Sequence, residues 1–227
     1  MQTSVEGVYA VGDAVEFQHP LLNKPWLNLL AGPANRQARI AADNMVFGNH
    51  IEYEGSIGTA IAKVFDITVA STGVPAKRMK ELGIPYLTAT IHPNSHAQYY
   101  PGAKPMTIKI IFSPDNGKLL GAQIVGVDGV DKRIDSYAMA IKQGLSITSL
   151  MEIEHAYAPP YSSAKDPVAI SAYVASNILN GKMTPLYWRD LVSTNREERT
   201  LIDVRTPEEY ALGTIDDAIN IELDKLR

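Results

Sequence analysis

The fold is decided by a predicted hairpin in the middle of the chain. Its first strand reads Met106-Thr-Ile-Lys-Ile-Ile-Phe112, and its second strand runs from Leu119 to Gly126. Between them stands Ser113-Pro-Asp-Asn-Gly117, and Asn-Gly is a preferred dipeptide at the tip of a β-hairpin. These residues predict two adjacent antiparallel strands.

The segments on either side of this hairpin are predicted from apolar periodicity and from capping residues. The predicted strands are residues 7–14, 59–71 and 86–92, and the predicted helices are residues 33–47, 75–82, 131–143 and a helix that begins at Pro167 with Asp166 as its N-cap. A strand and a helix, followed by several antiparallel strands and then helices, are typical of an α+β fold. We therefore expect an antiparallel sheet with helices.

Composition limits the classes of protein that the chain can represent. Of 227 residues, 45% are hydrophobic and 20% are charged, which is ordinary for a globular chain that buries a core. No apolar run reaches the roughly 18 residues that span a bilayer, and residues 1–7 show no secretory signal. We expect a cytoplasmic protein without a membrane partner. The net charge of −4 argues against a nucleic-acid partner.

Cysteine does not occur among the 227 residues. Disulfides, thiolate zinc sites and a cysteine nucleophile are therefore excluded within this sequence. We also expect no metal site.

A change in charge divides the chain near residue 187. Residues 188–227 hold six Lys and Arg against ten Asp and Glu, which accounts for the whole net charge. Two short strands are predicted at 200–205 and 218–221, but roughly 40 residues cannot complete a β-α-β domain with its own core. We expect three parts, namely residues 1–50, a central domain at 56–182, and an incomplete unit at 187–227.

Two segments near the start of the chain are candidate binding elements. Gly12-Asp13 follows the first predicted strand and can place a carboxylate and backbone amides beside a polar ligand; the alternative is a surface turn. The helix that starts near Ala31 offers free N–H groups and the positive end of its dipole. Its alternative is an ordinary capped helix.

Taken together, these two segments resemble the second FAD-binding segment of the pyridine nucleotide-disulfide oxidoreductases. The resemblance is carried by residues 3–14 and 29–37. It implies that Gly12 and Asp13 contact the ribityl and phosphate portion of FAD, and that the helix after Leu30 and Ala31 points its N-terminus at the isoalloxazine. It also implies NAD(P)H as co-substrate and identifies residues 56–181 as the family's C-terminal dimerisation domain.

Within that family the sequence is most similar to coenzyme A-disulfide reductases. The segments that carry this are 96–102, 129–135 and 157–166. The resemblance implies that Tyr99 and Tyr157 reach across a homodimer into the partner's active site, where a phenol donates a proton to the leaving thiolate of coenzyme A. Each segment holds a second tyrosine, Tyr100 or Tyr161, so the assignment has an alternative, as does interface packing for both.

The same resemblance has one departure from the wider family and implies further residues that bind the substrate. The His-Pro acid/base pair of the glutathione reductase branch is missing, and His155 is interpreted as structural. Lys104, Lys132 and Arg133, with Tyr161, are candidate ligands of the substrate, the three cations through coenzyme A phosphates. Solvated surface charge is the alternative for the cations.

The tail resembles the opening of a rhodanese domain, through residues 203–213. Gly213-Thr-Ile215 departs from the usual Gly-His-Ile, and Asp203 and Arg205 are mostly structural in such domains. The resemblance places the sulfur-carrying cysteine after Arg227. It implies the subfamily in which a coenzyme A-disulfide reductase is fused to a rhodanese domain, whose members also reduce persulfides or polysulfides.

The resemblance covers the chain as an internal slice of such an enzyme. The Gly-rich dinucleotide fingerprint, the redox cysteine and the NAD(P)H domain do not occur in it, so we expect the slice alone to be inactive, because thiol–disulfide exchange requires a thiolate. The first hypothesis is therefore a part of a homodimeric FAD reductase. The second is a dimerisation or interaction module without flavin, and a third, disfavoured by the missing cysteine, is a sulfurtransferase.

Overall fold

The computed structural model describes residues 1–195, 197 and 199–226. The chain divides into two units, Met1–Thr184 and Pro185–Arg227. In the first unit the strands are β1 (Phe17–Gln18), β2 (Pro25–Trp26), β3 (Ala60–Val64), β4 (Ile67–Gly73), β5 (Leu87–Ile91), β6 (Met106–Phe112) and β7 (Leu119–Gly126). Its helices are α1 (Ala31–Phe47), α2 (Ala76–Glu81), α3 (Val130–Lys142), α4 (Ile147–Met151) and α5 (Pro167–Leu179).

Five of these strands form one antiparallel sheet in the order β3-β4-β7-β6-β5. The central pair, β6 and β7, places Ile108 opposite Ile124 and Ile110 opposite Ala122. All four side chains are buried, and they face α3 and α5, whose inward residues include Ile134 and Ala172. The predicted α+β arrangement of an antiparallel sheet with helices is confirmed.

The opposite face of the sheet keeps apolar side chains in solvent. Val69 on β4 stands opposite Val125 on β7, and both are exposed, as are Val64 and Ile67 in the neighbouring hairpin. Because side chains alternate along a strand, this face is the one turned away from α3 and α5. On the side of β3, β4 and β7, this face therefore presents an uncovered apolar surface.

The tip of the β6–β7 hairpin is closed by the predicted residues. Gly117 has a φ of 66°, a left-handed conformation that suits glycine, and its N–H donates to the Ser113 carbonyl at 3.0 Å. The Gly117 carbonyl in turn accepts from the N–H of Ile147 at 2.9 Å. The tip is thus fixed to the start of α4.

Two predicted strands are corrected. Residues 7–14 do not form a strand; Gln2 and Tyr9 make an isolated bridge, and Gly12–Ala14 is a turn of 3-10 helix. Residues 59–71 form two strands, because the chain reverses at Phe65 and Asp66.

The helix that follows Asp166 is confirmed at its start. The Asp166 side chain accepts from the Val168 N–H at 2.9 Å, and Pro167 occupies the first turn, where its missing N–H costs nothing. Helix α1 begins two residues before the predicted 33–47 and ends at Phe47 as expected.

The second unit has a short helix α6 (Trp188–Ser193), strands β8 (Ile202–Asp203) and β9 (Ile219–Asn220) paired in parallel, and helix α7 (Pro207–Ala211). Helix α7 starts with a capping box, in which Thr206 and Glu209 bond each other's backbone N–H.

Within the part of the chain that the structure describes, no helix is both long enough and apolar enough to cross a membrane.

Candidate active site

Three segments of the first unit meet at the amino-terminal end of α3. They are the loop between β5 and β6, the turn that precedes α3, and the loop between α4 and α5. The N–H of Ala97 donates to the Ser162 carbonyl at 2.9 Å and joins the two loops directly. The three sequence segments that carry the reductase resemblance are therefore neighbours in space.

The two predicted tyrosines are brought together by these loops. The phenol oxygens of Tyr99 and Tyr157 share a hydrogen bond of 3.2 Å, although the two residues are 76% and 47% exposed. The bond with Tyr99, and then desolvation, raise the pKa of the Tyr157 phenol above its usual value near 10. The result is a solvent-accessible pair of phenols, in which Tyr157 holds its proton more tightly than a free phenol does.

The alternative tyrosines do other things. The ring of Tyr100 packs edge-on against the buried ring of His96, with centroids 5.7 Å apart. Tyr161 is exposed, and its backbone carbonyl accepts from Lys132 Nζ at 2.7 Å. Burial, and then repulsion from Arg133, lower the pKa of Lys132. Of the four tyrosines, Tyr99 and Tyr157 are the ones whose phenols meet.

Arg133 lies in the interior, where a phosphate ligand is not expected. The residue is 1% exposed, and its guanidinium donates to the carbonyls of Gly129 at 2.9 Å and Ser95 at 2.8 Å. It also donates to both carboxylate oxygens of Asp166, at 3.3 and 3.1 Å. Arg133 thus lies inside the junction of the three segments. Lys104, by contrast, is exposed on the loop between β5 and β6.

Asp166 is the acidic partner of this junction. Burial alone raises the pKa of its carboxyl, but hydrogen bonds from Ser162 at 2.6 Å, from the Val168 N–H, and from Arg133 outweigh burial. The pKa of Asp166 therefore lies below its usual value. The sequence identified this residue as a helix cap, and nothing in the sequence pattern signalled its ion pair with Arg133.

The candidate flavin residues form a second cluster. Gly12 has a φ of 74°, and a Cβ on it would lie 3.7 Å from the Cβ of Ala34 in the first turns of α1. The Gly12 N–H donates to Oε1 of Gln37 at 2.7 Å, a buried side chain to which the sequence analysis gave no role. The structure thus places Gly12 and Asp13 against the start of α1.

The start of α1 is open. Ala31 and Gly32 are exposed, and among the described residues Leu30, at the N-cap, gives no side-chain hydrogen bond to the first turn. First-turn N–H groups without a cap attract an acceptor or an anion. Together with the close approach at Gly12 and the exposed Asp13, this arrangement fits a flavin lying across the helix end.

The second unit has its own polar cluster. Arg205 donates to both oxygens of Asp203, the shortest contact being 2.6 Å, and to the Gly213 carbonyl at 2.7 Å. Thr214 donates to the same carboxylate at 2.9 Å. The pKa of Asp203 is lowered, mainly by the hydrogen bonds from Arg205. Through its bonds to Arg205 and Thr214, the Asp203 carboxylate acts as a brace between two loops.

Across the described residues, no three His, Cys, Asp or Glu side chains are grouped closely enough to hold a metal ion.

Comparison with known families identifies the central part of the chain. Residues 59–168 match the family described as pyridine nucleotide-disulphide oxidoreductase, dimerisation domain. The five-stranded sheet with its helices is therefore the fold of that dimerisation domain.

Particular relatives are reductases of sulfur compounds. The chain is 37% identical over 175 residues to the coenzyme A disulfide reductase of Staphylococcus aureus, covering 77% of this chain and 40% of the relative. It superposes on reduced CoADR-RHD of Bacillus anthracis with a TM-score of 0.91 and 48% identity, over 96% of this chain and 39% of the other. For a NAD-dependent persulfide reductase from A. fulgidus the TM-score is 0.90 and the identity 38%, over 100% of this chain and 41% of the other.

The chain spans about 40% of the length of the curated relatives that it matches.

Proposed function

We propose that the chain is part of a flavin-dependent enzyme that uses NAD(P)H to reduce coenzyme A disulfide, or a persulfide or polysulfide. The chain supplies the dimerisation domain, the second flavin-binding segment, and two tyrosines that serve the substrate. The observation that carries this proposal is the phenol pair of Tyr99 and Tyr157, 3.2 Å apart at the junction of the three loops. The identity to reductases of these substrates supports it, and a cytoplasmic location belongs to the same proposal.

The chemistry assigned to the pair is proton donation. The pKa of a phenol is about 10, so it carries its proton at neutral pH. The bond with Tyr99 raises the pKa of Tyr157 further. A coenzyme A thiolate that leaves a disulfide takes a proton from one phenol, and the phenolate that forms accepts a hydrogen bond from the other phenol. General acid catalysis of this kind contributes roughly 10²–10⁴-fold to a rate.

A second copy of the chain is the proposed partner. The uncovered sheet face carries Val69 and Val125 side by side, and apolar surface of this kind gains free energy when it is buried against another chain. In the homodimer, the tyrosines of one copy serve the pocket of the other.

Substrate contacts are proposed for the cations near the phenols. Lys104 and Tyr161 are exposed on the two loops, and Lys132 brings a charge beside Tyr161 through the 2.7 Å bond to its carbonyl. These groups suit the phosphates of coenzyme A. Arg133 is not included among them, because its guanidinium is buried and bonded within the protein.

The flavin contacts are proposed at the second cluster. Gly12 and Asp13 would hold the ribityl and phosphate portion of FAD, and the first turn of α1, after Leu30 and Ala31, would offer its N–H groups to the ring. When bound there, FAD would supply the redox chemistry that connects hydride from NAD(P)H to reduction of the disulfide. The thiolate for exchange comes from outside the 227 residues in this proposal, since they contain no cysteine, and the chain by itself is inactive.

The second unit is proposed as the opening of a rhodanese-like domain fused to the reductase. Two observations support this: β8 and β9 pair in parallel, and Arg205 is hydrogen-bonded to Asp203. The second agrees with the structural role that the resemblance implies for these two residues.

A visible absorption spectrum and a sedimentation run on the purified chain test the proposal. We expect a dimer that binds added FAD, with an absorption band in the flavin region. Asp13→Ala should weaken FAD binding, whereas Asp115→Ala, an exposed aspartate at the hairpin tip, should leave it unchanged. A stable folded single copy at micromolar concentration contradicts the dimer, and equal FAD binding by both variants contradicts the assignment of Asp13.

One alternative function is favoured by the sheet face alone. A dimerisation or interaction module needs the apolar surface but no flavin, and the missing cysteine agrees with it. A colourless dimer that does not take up FAD would support this module in place of the enzyme part.

A further inference from the structure

Arg133 connects the loop of Tyr99 to the body of the protein. Its Nη2 donates to the Ser95 carbonyl at 2.8 Å, and the Ser95 N–H donates to the Lys104 carbonyl at 2.8 Å, closing the base of that loop. Ala97, two residues before Tyr99, is bonded to the Ser162 carbonyl. The backbone just before Tyr99 is therefore held by hydrogen bonds at Ser95 and at Ala97.

The same guanidinium fixes the loop of Tyr157. It contacts Ser162 Oγ at 3.4 Å and Asp166 at 3.1 Å. The N–H of Ser162 donates to the carbonyl of Ala158, the residue after Tyr157. Hydrogen bonds thus connect Arg133 to both of the loops that carry the phenols.

The charges of Arg133 and Asp166 are paired with each other in the interior of the protein. Arg133 and Asp166 have side chains 1% and 2% exposed, and a buried ion pair of this kind adds little stability relative to apolar side chains of the same size. Its more specific contribution is geometric, because a planar guanidinium can bond a carboxylate and two carbonyls at fixed angles.

We propose that Arg133 is the positioning residue of the phenol pair: with Asp166, it holds the two loops at the spacing at which Tyr99 and Tyr157 meet. This inference rests on the proposed function, in which the pair serves the substrate. It assigns no contact between Arg133 and substrate. The spacing of the phenols thus has a cause inside the fold that Lys, which lacks the fork of donors, cannot supply.

The test follows the titration of Tyr157 in the full chain by NMR of tyrosines labelled with ¹³C at Cζ. Tyr99→Phe and Tyr157→Phe identify the signals. The unaltered chain should show Tyr157 titrating above the usual value near about 10. In Arg133→Lys, and in Arg133→Met combined with Asp166→Asn, the pair should separate and the Tyr157 pKa should fall toward that value, as it should in Tyr99→Phe.

The matched control is Tyr137→Phe. Tyr137 lies on α3 one turn after Arg133, is buried, and bonds Ser171 Oγ at 2.7 Å, so the change removes a buried hydrogen bond from the same helix without touching either loop. It should leave the Tyr157 titration unchanged. Circular dichroism reports whether each variant folds.

Three results would overturn the proposal. The first is a folded Arg133→Lys or double variant in which Tyr157 titrates as in the unaltered chain. The second is an equal fall in Tyr137→Phe, which would indicate general loosening. The third is failure of both Arg133 variants to fold, which would assign Arg133 to the stability of the unit. None of these readouts uses flavin or substrate, so they are distinct from a failure of the proposed function.

Discussion

Tyr99 and Tyr157 are 58 residues apart in the sequence, and their phenol oxygens lie 3.2 Å apart in the structure. Neither stands on a helix or a strand; both are held by loops that are bonded to each other and to α3. These cross-links give the two loops a defined geometry, and the resulting pair of exposed tyrosines supports the role that we propose for the phenols.

The first prediction concerns catalysis by the reductase of which we propose that this chain is a part. Tyr99→Phe combined with Tyr157→Phe removes both of the proposed proton donors, and kcat should fall roughly 10²–10⁴-fold with flavin content unchanged. Steady-state kinetics and the flavin spectrum measure the two quantities. Tyr173→Phe, an exposed tyrosine on α5, is the control, and unaltered turnover in the double variant would remove the phenols from the mechanism.

The second prediction concerns stability and pH. The pKa of Asp166 is lower in the folded protein than its usual value of 3.8, so the ionised carboxyl contributes stability that is complete above that value and is lost as the pH falls through the folded pKa. Asp166→Asn should lower the free energy of unfolding at pH 7 by about 3–5 kcal/mol, because Arg133 is left buried without its partner.

Urea unfolding at pH 7, 4 and 3 checks this second prediction. Below pH 4 the unaltered chain should lose stability more steeply than Asp166→Asn does. Asp115→Asn, at an exposed turn, should follow the unaltered chain. Parallel pH curves for the unaltered chain and Asp166→Asn would show that Asp166 does not contribute the acid sensitivity.

The third prediction concerns the end of β4. Gly73 has a φ of 73°, and a Cβ there would contact the Leu120 carbonyl oxygen and, at 2.9 Å, the Cα of Gly121. Gly83 has a similar φ of 66° with nothing within 4 Å of such a Cβ. Gly83→Ala should therefore cost only the left-handed strain of about 1 kcal/mol, and Gly73→Ala should cost about 1–3 kcal/mol more through overpacking. Thermal unfolding that ranks the two variants in the reverse order would contradict the close contact at Gly73.

The fourth prediction concerns the uncovered sheet face. Val125→Asp places a charge in the proposed dimer contact, next to Val69, and should shift sedimentation from dimer toward single copies while circular dichroism stays the same. Val46→Asp, at an exposed position of α1, should leave the dimer intact. A Val125→Asp chain that sediments as the unaltered one would place the contact elsewhere.

Local signals in the sequence were sufficient for much of the fold. The Asn-Gly turn and the alternating apolar residues of β6 and β7 gave the central hairpin, because turn geometry and side-chain alternation are set within a few residues. The cap at Asp166 gave the start of α5 for the same reason. The reversal at Phe65 was missed, since a bulky residue with a φ of 53° is an uncommon turn former.

The apolar run at 7–14 was wrongly predicted as a strand because a strand needs a partner along its length. In the described residues this run finds only the bridge between Gln2 and Tyr9. At the site, the tyrosines came from a resemblance, whereas the interior position of Arg133 could not be predicted. An arginine beside Lys132 in a charged segment is ordinarily solvated, and its partner Asp166 lies 33 residues away.

The hairpin tip has a consequence for how the first unit opens. Gly117 accepts a hydrogen bond from Ile147, and Leu119 donates to the Leu145 carbonyl. These two bonds connect the turn to residues 145–147, which follow α3. Fraying of the β6–β7 tip therefore requires the bonds to Leu145 and to Ile147, the first residue of α4, to break as well. Amide protons at the tip should exchange with solvent in the same cooperative event as those of α4, at a rate far below that of an unsupported turn.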